Sequence, residues 1–174
     1  MAKFKEIPQF TFGNYEVDIH IPYLEKALEG YKEDYNLELN SDFQRGNVWT
    51  ETQQIEFIEF FFKGGKSART IYFNIGEWSF NKDTDIPQMV CVDGLQRLTA
   101  MLRFLHNEIP LFGYFKNEYT DRVSNDNTFR FNINNLPYKK DVLKWYLEMN
   151  SGGTVHSKEE LKRVTKMLEE IEGK

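Results

Sequence analysis

The feature that most restricts the fold is a change of rhythm in the middle of the chain. Met89-Val90-Cys91-Val92 is a short unbroken apolar run with the length and residue types of a buried strand. It breaks on Asp93-Gly94, a turn dipeptide, and passes directly into Leu95, Leu98, Met101, Leu102 and Leu105, which share one helical face. The segment therefore reads as strand, sharp corner, helix. Such a corner gathers unpaired backbone N–H groups and the positive end of a helix dipole, a seat for a phosphate. Arg97, in the first helical turn, can add a planar bidentate clamp. Asp93 can accept a sugar hydroxyl, hold a metal or act as a base. It can equally cap the helix, with Arg97 paired to a surface carboxylate.

The rest of the chain supplies further elements around this corner. Pro22 suits a first helical residue, and Leu24, Ala27, Leu28 and Tyr31 form a stripe behind it. Residues 37–39 alternate like a short strand, and residues 10–15 are read as either a short strand or an ordered arm. Thr50 and Gln53 resemble a capping box ahead of Ile55, Ile58, Phe61 and Phe62, with Gly64-Gly65 ending that helix. Its three consecutive phenylalanines follow helical spacing and read as core, and Trp49 is either core or the wall of a pocket. Residues 70–74, 110–115 and 128–133 read as strands, with residues 116–127 between the last two as a loop or lid. Val142, Trp145, Tyr146 and Met149 predict a helix ending at Asn150. Ser157 and Glu160 then form a second capping box for a final amphipathic helix through Leu161, Val164, Leu168 and Ile171. Helices interspersed with short strands, without a repeat or linker, predict an α+β fold in a single domain over residues 1–174.

Composition excludes several classes. With 174 residues, 40% hydrophobic and 16% aromatic, the chain can bury a core and is not a disordered tail. A net charge of −5 argues against gripping long nucleic acid by bulk electrostatics, although a local basic patch stays open. Cys91 is the single cysteine, so no internal disulfide forms and a reducing cytoplasm is expected. The sequence carries no recognisable leader and no apolar run near the ~20 residues that span a bilayer, so no membrane partner is expected. His20 and His106 stand apart from any cysteine or carboxylate pattern, His156 reads as a bystander beside residues 150–154, and no zinc site is predicted. Residues 63–67, Lys-Gly-Gly-Lys-Ser, lack the leading glycine and preceding strand of a phosphate loop.

Three blocks carry a family resemblance. Asp93-Gly94-Leu95-Gln96-Arg97-Leu98-Thr99 resembles the Asp-Gly-Gln-Gln-Arg-Leu-Thr signature of the N-terminal domain of GmrSD-type restriction systems, within the ParB/sulfiredoxin-like superfamily. Residues 42–50, Asp-Phe-Gln-Arg-Gly-Asn-Val-Trp-Thr, resemble that family's Tyr/Phe-Gln-Arg-x-x-x-Trp segment. Asn150-Ser151-Gly152-Gly153-Thr154, followed by Glu159-Glu160-Leu161, resembles its Asn-x-Gly-x-x-Leu-Ser-x-x-Glu-Leu segment. Leu95 departs from the pattern, standing where the family usually has glutamine.

The resemblance implies a ParB/sulfiredoxin-like domain, a small mixed sheet with flanking helices, that binds and hydrolyses a nucleoside triphosphate with Mg²⁺. Carried across residue by residue, it makes Asp93, Gln96 and Arg97 the catalytic candidates, with Asp93 also the metal candidate. Gln44, Arg45, Gly94, Arg97, Thr99 and Asn150 become candidates for contacting nucleotide or phosphate. In such a site the arginines neutralise phosphate oxygens, Gln96 orients water, and Asp93 engages the metal or the nucleophile. Asn150 and the glycines after it are equally a helix stop and restart. The alternative implied by the resemblance is a non-catalytic module of a phage-defence or counter-defence system, recognising modified DNA or a partner effector protein. Related restriction proteins often continue into an HNH-type nuclease; no such His-rich constellation occurs here, and no C-terminal nuclease domain is expected. Related sulfiredoxins place a reactive cysteine at the position of Leu95, so sulfinic-acid repair is not expected, and Cys91 in a buried strand should be inert.

Overall fold

In the computed structural model of the chain, residues 15–44, 46, 48–78, 83–151 and 158–173 are described. The central apolar run forms β3 (Met89–Asp93), and its lack of alternation has a simple cause: both of its faces are covered. Met89 and Cys91 face one core and Val90 and Val92 the other, all four essentially inaccessible.

Four strands make the sheet: β1 (Tyr15–His20), β2 (Thr70–Ile75), β3 and β4 (Thr128–Asn134), in the order β1-β4-β2-β3. The β1/β4 and β2/β3 pairs are antiparallel and the central β4/β2 pair is parallel. Beside the sheet lie α1 (Leu24–Tyr35), α2 (Glu51–Phe62), α3 (Leu95–Leu105), α4 (Lys139–Ser151) and α5 (Lys158–Glu172). This is the α+β architecture expected, with a mixed sheet and flanking helices.

The larger core packs α1, α2 and α3 on one face of the sheet through Leu24, Ile58, Phe61, Leu98, Met101 and Phe104 against Ile71, Phe73, Phe129 and Phe131. The second core packs α4 and α5 over the β3 side of the other face, with Phe43, Val142, Tyr146 and Val164 at its centre. The outer face of β1 and β4 is polar, and there Arg130 donates to Asp18 across the ladder. Burying seven phenylalanine and tyrosine rings almost completely supplies much of the driving force for closing these layers.

Several local signals act as anticipated. Thr50 Oγ1 accepts from Gln53 N while Gln53 Oε1 accepts from Thr50 N, a complete capping box for α2. Pro22 sits in a 3₁₀ turn, Ile21–Tyr23, that leads into α1. Phe61 is buried as core and Phe62 partly so, but Phe60 is 45% exposed. Trp49 joins the larger core, its ring 5.5 Å from that of Phe57.

Four expectations need correction. Residues 110–115 are not a strand: Leu111 and Tyr114 bridge across a tight turn whose middle residues, Phe112 and Gly113, both have positive φ, so the segment reverses after one pair. Residues 37–39 form only one parallel bridge, Glu38 to Val90, because Asn36 turns left-handed immediately before them. Tyr15–His20 is a strand that the sequence did not place, residues 10–15 reading as either a short strand or an ordered arm; the alternation of Val17 and Ile19 with charged neighbours was the overlooked sign. The helix expected to end at Asn150 runs one residue further, to Ser151. Of the turn expected over residues 150–154, residues 152–154 lie outside the described residues, as do His156, the Ser157 cap and residues 10–14.

Candidate functional site

Gly94 makes the corner possible. Its φ of +114° lies where side chains are strained, and a Cβ there would stand 2.6 Å from Ile71 Cδ1. With no side chain to cap α3, the first turn's backbone N–H groups face the corner. Leu98 N closes the first helical bond, to Gly94 O. Leu95, the residue that departs from the family pattern, points its side chain into the larger core and adds no polar group to the corner.

Asp93 and Arg97 form an ion pair at this corner, with 33% and 13% of their side chains exposed. Arg97 Nη1 also donates to the carbonyls of Thr70 at 2.7 Å and Ala68 at 3.1 Å. The guanidinium thus ties α3 to the entry of β2 while holding the carboxylate in place. Asp93 lies opposite Tyr72, where the β2/β3 register shifts at Tyr72/Phe73. Such irregularities re-aim the side chains beside them.

The second sequence block lies directly on this corner. Phe43 is fully buried in the second core, edge-on to Tyr146, and anchors the segment. Gln44 Nε2 donates to the carbonyls of Cys91 at 2.9 Å and Val92 at 3.0 Å. Gln96 Oε1 accepts from Val48 N at 2.9 Å and Trp49 N at 3.0 Å, and its Nε2 donates to Gly46 O at 2.5 Å. Arg45 lies outside the described residues; the chain on both sides of it, at Gln44 and Gly46, is bonded to the β3–α3 corner.

A residue that the sequence did not single out completes the arrangement. Arg163 of α5 donates to the carbonyls of Asp42 and Phe43, each at 2.7 Å, and Gln44 at 3.1 Å. Lys139 pairs with Asp42 beside it. Arg163 follows the helix-forming part of the third block, and only its place on the exposed face of α5 could have hinted at a partner. The remaining candidates are occupied locally. Thr99 Oγ1 donates back to Leu95 O at 2.8 Å, and the buried Asn150 donates to Tyr146 O at 2.7 Å within α4. Asp93, Gly94, Gln96, Arg97 and Gln44 are therefore together at one corner, whereas Thr99 and Asn150 bond within their own helices.

Cys91 lies under the corner, wholly buried, and burial pushes its thiol well above the ordinary range. Among the described residues no group of three His, Cys, Asp or Glu could hold a metal, and no helix is long and apolar enough to cross a membrane.

The model of the family described as the GmrSD restriction endonuclease, N-terminal domain, matches residues 24–172. The chain belongs to that family. The GmrSD N-terminal match runs from the start of α1 to the end of α5 and includes all three blocks, relating the chain to restriction systems. Its mixed sheet is consistent with the wider ParB/sulfiredoxin-like grouping. The chain matches no curated protein and no solved structure.

Proposed function

We propose that this GmrSD-type domain binds a nucleoside triphosphate at the β3–α3 corner and hydrolyses its terminal phosphoanhydride, as the nucleotide-handling part of a modified-DNA restriction or counter-defence system. The observation that carries the reading is the convergence of two distant sequence blocks, residues 42–50 and 93–99, on one glycine-cornered helix start through the amides of Gln44 and Gln96.

In this reading the N–H groups of the first α3 turn and the guanidinium of Arg97 receive phosphate oxygens, and Gly94 lets them approach the backbone closely. Arg45 would add a second guanidinium from the tethered segment. Gln44 and Gln96 act mainly as positioning residues. Among the described residues Gln96 keeps one Nε2 hydrogen for a water or phosphate oxygen, since its other amide positions are taken by residues 46, 48 and 49. Asp93 orients the attacking water. A single carboxylate at the corner fits Mg²⁺ arriving with the triphosphate, because that ion is commonly held by one or two carboxylates plus phosphates and water. Asp93 would hold it, and the ion would neutralise charge on the phosphates.

Binding and hydrolysis of ATP, GTP, CTP and UTP with magnesium test this reading. The wild type should turn over at least one of them, and Asp93→Ala should reduce turnover by about a hundredfold or more. Absence of both binding and turnover with all four overturns it. One observation favours the non-catalytic alternative: Leu95, standing where the family usually has glutamine, is buried in the larger core and leaves the corner without that polar group. On that reading the arginines contact DNA phosphates, and retention on modified DNA should fall steeply with salt, without turnover.

A further inference from the structure

At the other end of α3, about 15 Å along the helix axis from the Asp93–Arg97 corner, lies a hollow of about 830 Å³. Its size is that of small-molecule sites, which commonly enclose roughly 300–1,000 Å³. Neither Asp93, Gln96 nor Arg97 lines it. We propose that it is a second binding site, for a mononucleotide unit: a planar heteroaromatic ring carrying a phosphate.

The walls suit the ring. Phe62, Phe104 and Tyr119 line the hollow and stand edge to face in series, at centroid separations of 5.7 Å and 6.4 Å. Tyr23, 59% exposed, stands at the mouth. Phe104, 1% exposed, backs the other two, and the accessible surfaces of Tyr23, Tyr119 and Phe62 are what a base can stack on, whatever its identity. Asn117, Asn125 and Asn127 bring carboxamides to the same lining, the groups that match a base edge.

The rim suits the phosphate. Lys116 and Arg122 line it, and among the described residues neither has an ion-pair partner. Of the two acids present, Glu25 is engaged by His106 Nε2 at 2.5 Å, which leaves Asp121 against two cations.

The hollow is also held open. Residues 116–127 hold one short 3₁₀ turn, Lys116–Glu118, and otherwise run as loop; so long a stretch normally collapses or disorders unless it has a role, yet this one is tied down near both ends. Tyr119 Oη donates to Leu111 O at 2.5 Å, and Asn117 N donates to Asn107 Oδ1 at 2.8 Å. His20 Nδ1 donates to Asn125 O at 2.5 Å, and Ile21 N donates to Asn127 O at 2.9 Å. A loop fixed near both ends keeps the recess from closing on itself.

Calorimetric titration of the whole chain with dCMP and dAMP tests the site, with inorganic phosphate and deoxycytidine as controls lacking ring or charge. Each mononucleotide should bind at least tenfold more tightly than either control. Arg122→Ala should weaken the mononucleotides about tenfold and leave deoxycytidine unchanged, and Tyr23→Ala should weaken both. Arg97→Ala should leave the mononucleotide-dependent amide shifts of residues 20–25 and 116–127 unaltered, which separates this site from the triphosphate site proposed above. Both Arg122 and Tyr23 are exposed; if either variant melts early, Lys116→Ala replaces it, and amide shifts confined to residues 20–25 and 116–127 report occupancy in the wild type. Mononucleotide binding no tighter than inorganic phosphate overturns the proposal, as do shifts at residues 20–25 and 116–127 that vanish in Arg97→Ala or are indifferent to Arg122→Ala and Tyr23→Ala. A DNA duplex with a central mismatch distinguishes the sources. Competition with dCMP identifies an extruded nucleotide of DNA, and its absence identifies free mononucleotide.

Discussion

Gln44 and Gln96 hold the same loop from opposite sides: Gln44 reaches from the loop to the last carbonyls of β3, and Gln96 reaches from the first turn of α3 to the loop's backbone. The two amides add to the anchorage that buried Phe43 and Arg163 give residues 42–44. Replacing Gln96 with Ala removes three hydrogen bonds and leaves Trp49 N, which is partly buried, without its acceptor. The expected loss is about 1–2 kcal/mol of stability, with faster amide exchange at residues 46–50. Unchanged exchange there would mean that the loop is held by other contacts.

The corner itself should not accept a side chain. Gly94→Ala meets both the positive φ and the Ile71 side chain, and is expected to destabilise the fold by about 3 kcal/mol. Urea denaturation of the variant measures this directly. A loss below about 0.5 kcal/mol would show that the β3–α3 turn relaxes without strain.

Arg97 should not be exchangeable for lysine. Its planar fork spans a carboxylate and two carbonyls from different elements, and a single ammonium cannot reach all three. Arg97→Lys is expected to lose about 1–2 kcal/mol, with loosened exchange around Ala68 and Thr70. If nucleotide binding occurs at this corner, the same variant should weaken it more than it weakens the fold.

Cys91 should behave as a buried hydrophobe. Because its pKa is raised from the ordinary 9.0, the thiol stays protonated through neutral and mildly alkaline pH, and the reactive thiolate is withheld. A disulfide reagent at pH 8 should therefore leave the native protein unmodified and label one thiol only after denaturation. Rapid labelling of the native chain would show that the layer above β3 opens.

Arg163 should matter to the corner although it lies far along the chain. Arg163→Ala releases three carbonyls of residues 42–44 from α5. The expected result is a modest stability loss, about 1–2 kcal/mol, coupled to weaker ligand binding at the β3–α3 corner. Additivity with Gln96→Ala would argue against their acting on one loop; a combined loss smaller than the sum is expected for a shared loop.

The elements whose signals are local were legible without coordinates. The strand–corner–helix at residues 89–105, the capping box at Thr50 and Gln53 and the amphipathic stripes of α1, α3 and α5 all follow from spacing between neighbours in the chain, and spacing survives folding. Residues 110–115 were misread for a related reason: apolar and aromatic composition describes a strand, but Phe112 and Gly113 adopt positive φ and reverse the chain. Partnerships between distant segments left no such trace. Nothing in residues 42–50 says that Gln44 reaches β3, and nothing in α5 says that Arg163 grips the loop. The mixed strand order, the seating of two sequence blocks on one corner and the hollow beneath residues 116–127 were decided by the tertiary structure. A hydrogen bond between residues dozens of positions apart depends on how layers pack, whereas the periodicity of a helix depends only on its own backbone.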